Sequence, residues 1–122
     1  MQVTIMRNEG LDNLLALDGV RMNYQGEFWV KFDVALVEIT MERPHGIKYS
    51  LSLHDGTNKR IMGFDNAHAV KVSKGFKGRK YAYDHVHKSV SDPGTEYSFN
   101  TPEQLITDFW CEIDKVLAQL EK

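Results

Sequence analysis

From Glu27 to Ile39 apolar and polar residues alternate almost one by one in EFWVKFDVALVEI, and a period of two marks a β-strand with one dry face. Phe28, Val30, Phe32, Val34 and Leu36 share that face, leaving Trp29, Lys31, Asp33, Ala35 and Val37 on the other. The pattern returns in IKYSLSLH, where Ile47, Tyr49, Leu51 and Leu53 alternate with Lys48, Ser50, Ser52 and His54. Pro44, which has no N–H to donate, and Gly46 break the chain between the two runs. Asp55-Gly56 with Thr57-Asn58 predicts a hairpin turn, and RIMGF the returning strand. YAYDHVH predicts one further strand, with Tyr81, Tyr83, His85 and His87 on one side and Ala82, Asp84 and Val86 on the other. Strands of this kind pair antiparallel and need a second layer over their dry face.

The C-terminal segment supplies that layer. Thr101 suits an N-cap, Pro102 the first helical position, and Gln104 a capping box. Leu105, Phe109, Ile113, Val116 and Leu120 recur at helical spacing, broadened by Ile106, Trp110 and Leu117. The expected fold class is α+β: an antiparallel β-sheet of about four to six strands with a C-terminal α-helix packed on one face. At 122 residues the chain fits a single domain, 1–122. Residues 1–19 receive no assignment, since Val3 and Ile5 suit a strand while Leu11, Leu14, Leu15 and Leu17 suit either a helix or a strand. Cys111 is the single cysteine, which excludes an intrachain disulfide and a C-x-x-C site and predicts a buried thiol. No apolar run reaches the length of a membrane span, and the N-terminus lacks the basic-then-apolar pattern of a signal peptide, so the cytoplasm is the expected location.

Charge is segregated along the chain. Lys59 to Lys88 holds eight Lys/Arg against Asp65 and Asp84, a balance of +6, between acidic flanks. Arg60, Lys71, Lys74, Lys77, Arg79, Lys80 and Lys88 are therefore the candidate contacts to a polyanion, with Gly75 and Gly78 shaping a basic hairpin or arm around Phe76 and Lys77. A solvated loop rich in lysine explains the same composition without a partner. The stretch also carries His68, His85 and His87.

Two imidazoles at i and i+2 of a strand point the same way, about 7 Å apart at Cα. They suit a zinc-type ion, with His68, Asp65 or Asp84 as further ligands. They equally suit acid–base work on RNA, one ring taking the 2′-hydroxyl proton while an acid protonates the leaving oxygen. The metal-free route is preferred here: His85 and His87 act as base and acid, His68, Asp65 and Asp84 complete the set, and no metal or cofactor is assigned. Convergence of these residues requires the strand ending in Phe64 to lie beside the one containing Tyr83.

The succession ERPHGIKYSLSLHD, GFDNAH, YDHVHK and EYSFNTPEQLITDFW resembles the TumE toxin family of toxin–antitoxin systems, over about Gly26 to Leu120. The resemblance implies a toxin partnered by a helix-turn-helix antitoxin encoded nearby, and action on RNA as a ribonuclease. It also implies a polar site at Asp65, Asn66, His85 and His87, with the helix around Phe109 covering the sheet. Two expectations of different class follow: a type II toxin that is a metal-independent endoribonuclease, or a module that binds nucleic acid or the antitoxin through the basic hairpin without turnover. No membrane partner is expected, and the sequence is compatible with a homo-oligomer.

Overall fold

The computed structural model describes residues 9–66, 70–75, 78–82, 84–92 and 94–120, with their side chains except at 70–75 and 78–82. In chain order the elements are α1 (Glu9–Ala16), β1 (Arg21–Asn23), β2 (Trp29–Leu36), β3 (Ile47–His54), β4 (Arg60–Asp65), β5 (Val70–Gly75), β6 (Gly78–Ala82), β7 (His85–His87), β8 (Thr95–Glu96) and α2 (Pro102–Leu120). Six strands form one antiparallel sheet in the order β1-β2-β3-β4-β7-β8, while β5 and β6 make a separate two-stranded ribbon. The fold is α+β.

The β3–β4 turn forms as its sequence predicts. Asp55 Oδ1 accepts from the Thr57 and Lys59 N–H groups, and Asn58 takes the left-handed conformation at φ 68°. Upstream, the left-handed Gly46 at φ 71° donates its N–H to the Arg43 carbonyl, closing the turn that Pro44 begins. Register then brings the dry faces together: Phe32 lies opposite Leu51, and Leu51 opposite Phe64.

α2 packs its stripe on this face, with Phe109 edge-on to Phe32 at 5.6 Å and to Phe64 at 5.9 Å between ring centroids. Its start is capped as expected, since Thr101 Oγ1 accepts from the Gln104 N–H and Gln104 Oε1 accepts from the Asn100 N–H. Of the unassigned N-terminal leucines, Leu11, Leu14 and Leu15 fall in α1, which buries Leu14 and packs against α2, while Leu17 lies in the turn that follows. A Cβ at Gly10 would first meet the Glu103 carboxylate, the movable end of that side chain.

Several expectations need correction. YAYDHVH is not one strand: β6 and β7 belong to different sheets, and Tyr83 lies outside the described residues. Leu36, the last residue of β2, is 54% exposed rather than part of the core. Cys111 is exposed, not buried, since two residues past Phe109 on a helix is about 200° around its axis. Leu120, the last residue of α2, is likewise exposed. Among the described residues no helix is long and apolar enough to cross a membrane.

Candidate functional site

With Met62, Phe64 and Val86 in the core, alternation turns Asp65, His85 and His87 to the opposite face of the sheet. Here β4 and β7 are neighbours, pairing Asp65 with His85 and Gly63 with His87. The His85 Nε2–H donates to Asp65 Oδ1 at 2.9 Å, and His87 Nε2 stands 3.5 Å from Asp65 Oδ2. The two imidazoles meet edge to face, 4.8 Å between centroids. One carboxylate thus bridges both rings.

The surroundings hold this arrangement in place. His87 Nδ1 lies 2.9 Å from the Asp92 carbonyl oxygen, and since a carbonyl only accepts, the proton belongs on Nδ1. Asp92 is itself anchored, its Oδ2 accepting from the Lys88 N–H and its Oδ1 from the Gly94 N–H. Those bonds hold its carboxyl below the ordinary carboxylate range. Arg60 comes from the start of β4 to within 3.7 Å of Asp65 Oδ2. It passes over Gly63, where a Cβ would sit 3.3 Å from Arg60 Cδ. The three central residues are nearly sealed, with exposures of 8% for Asp65, 3% for His85 and 9% for His87.

Asp84 sits apart from them. It shares the parity of Val86, and the Tyr49 hydroxyl donates to its Oδ1 at 2.7 Å. Burial raises the Asp84 carboxyl above its usual range, and burial likewise drives the Tyr49 hydroxyl far above the ordinary phenol range. Asn66 is spent on the backbone of β3: its Oδ1 accepts from the Tyr49 N–H and its Nδ2 donates to the Ile47 carbonyl. It extends the β3–β4 ladder by one rung and offers no group to the Asp65 centre through those bonds. His68 and Lys77 lie outside the described residues.

Among the remaining basic candidates, Lys71, Lys74, Arg79 and Lys80 belong to the backbone of the β5–β6 ribbon, which joins β4 to β7 and approaches β8. Lys88 is exposed directly after β7. Asp92, whose carbonyl orients His87, reads in the sequence only as part of a turn. The carbonyl is brought back toward the strand by the turn at 89–92, closed by the Asp92 N–H on the Ser89 carbonyl.

A second polar cluster occupies the same face. Trp29 stacks on His54 at 4.1 Å, the Arg21 guanidinium lies 5.4 Å from the Trp29 ring centre, and Ser52 Oγ is 2.8 Å from His54 Nε2. Burial lowers the His54 pKa.

A family model described as Toxin TumE matches residues 20–117. No curated protein and no solved structure matches the chain.

Proposed function

The chain belongs to the TumE toxin family, and from that premise we propose that it is the toxin of a type II toxin–antitoxin pair, cutting RNA in the cytoplasm at Asp65, His85 and His87. The observation that carries this reading is the single carboxylate bridging two imidazoles, 2.9 and 3.5 Å away. Cleavage of RNA by internal transfer needs a base to take the 2′-hydroxyl proton and an acid to return one to the 5′ oxygen, as the 2′-O–P bond forms and the P–O5′ bond breaks. His87, with its proton held on Nδ1, accepts at Nε2; His85 is the acid, and Asp65 between them stabilises whichever ring is charged. Arg60 borders the centre and suits the phosphate. The partner is a helix-turn-helix antitoxin.

Burial of His85 at 3% exposure favours a second reading, a module that docks on nucleic acid or antitoxin without turnover. Purified protein incubated with total RNA, beside the double variant His85→Ala/His87→Ala checked for native circular dichroism, separates the two. Loss of both cleavage and growth inhibition in a folded double variant supports catalysis. Unchanged toxicity in that variant rules the histidine roles out.

A further inference from the structure

One donor atom from each of Asp65, His85 and His87 lies within 4.8 Å of the others. We propose that these three residues bind one divalent ion of the zinc class. Zinc takes imidazole nitrogen and carboxylate oxygen at about 2.0–2.2 Å, which places neighbouring donors of a tetrahedral ion about 3.3 Å apart. The nitrogen–oxygen separations are 2.9 Å from His85 to Oδ1 and 3.5 Å from His87 to Oδ2, so each imidazole faces its own oxygen of the one carboxylate. Closing the widest gap, up to 4.8 Å, takes about 1.5 Å of side-chain movement, with no change in strand register. The paired strands β4 and β7 supply the scaffold.

The tautomer of His87 is the second argument. With its proton on Nδ1 toward the Asp92 carbonyl, neutral His87 turns a lone pair on Nε2 toward Asp65 Oδ2. A metal ion would take that lone pair, whereas a protonated ring would pair with Asp65 directly. An imidazole N–H held by a backbone carbonyl is also how metal-binding histidines are commonly oriented. Two nitrogens and one carboxylate select zinc, cobalt(II) or nickel(II) over magnesium or calcium, which prefer all-oxygen sites.

Arg60, 3.7 Å from Asp65 Oδ2, is the competing cation. Its side chain is 42% exposed, so an arriving ion can displace it into water. The ion occupies the nitrogen lone pairs that acid–base cleavage needs, so loading suppresses that chemistry. Only this effect on cleavage rests on the proposed function; ion uptake does not.

Full-length protein is stripped with chelator, returned to metal-free buffer and titrated with Co²⁺ by absorption and with Zn²⁺ by calorimetry. One ion per chain is expected, with tetrahedral cobalt bands. Affinity should fall more than about 100-fold in His87→Gln and in Asp65→Asn, beyond the loss typical of changes outside the coordination shell. It should rise in Arg60→Gln, a variant that keeps all three donors. Absence of stoichiometric uptake by the unsubstituted protein overturns the site, as does undiminished affinity in either donor variant with native circular dichroism. RNA cleavage is scored separately: cleavage in chelator that stops on Zn²⁺ loading supports the ion's effect. Cleavage without metal uptake removes the metal site alone, and uptake without cleavage in either state removes the ribonuclease reading alone.

Discussion

His54 is where local chemistry and the sheet face meet. Its ring is stacked on Trp29, its Nε2 lies 2.8 Å from Ser52 Oγ, and its buried Nδ1 has no hydrogen-bond partner. Burial first, and then the positive charges of Lys31, Arg60 and Arg21, lower its pKa below 6.5, against an opposing influence of the Asn58 backbone. A histidine with a lowered folded-state pKa supports the fold fully above its unfolded value, and that support is lost as pH falls toward the folded one. Urea stability should therefore decline from pH 7 to about pH 5, more steeply in the unsubstituted chain than in His54→Asn. Equal slopes in the two proteins would remove this role. Neither the stack nor the direction of the shift is legible in sequence, because both depend on Trp29 lying opposite His54 across β2 and β3. Asn66 makes the same point: its name suggests a site residue, whereas its two side-chain bonds are given to β3.

At the scale of elements, α2 is the part whose contribution follows most directly from its residues. Phe109 is fully buried and touches rings from both β2 and β4, so Phe109→Ala should cost about 3–5 kcal/mol in chemical denaturation. Thr101→Ala removes only the N-cap oxygen and should cost about 1 kcal/mol. Similar losses in the two variants would mean that the sheet does not depend on this helix for its cover. The cap and stripe are readable because a helix carries both signals within its own length. The break between β6 and β7 is not, since YAYDHVH keeps its alternation throughout. β6 pairs with β5 and β7 with β4, and those choices of partner are made across the sheet. Asp84, at this break, goes to Tyr49 on the helix side rather than to the imidazoles.

For the molecule as a whole, the cationic stretch runs through one insertion that the site residues flank: the β5–β6 ribbon leaves the sheet after β4 and returns before β7. If this ribbon grips a polyanion, changing Lys74, Arg79 and Lys80 to Glu should weaken RNA association strongly. The slope of log affinity against log salt should become shallower by about 0.7 for each single-strand phosphate that the protein no longer neutralises. Filter binding at several salt concentrations reads both quantities, and unchanged slopes would leave the cationic stretch a solvated surface. The alternation of β2 and β3, the turn at Asp55, the helix with its cap and the cationic centre all follow from the order of residues, because each is a pattern within one short segment. Only the folded chain shows that Asp65 meets His85 and His87 while Asp84 does not, and that Asp92 lends its carbonyl to His87. The cause is that β4 pairs with β7 across an intervening ribbon, and periodicity tells which face a residue takes without telling which strand lies beside it.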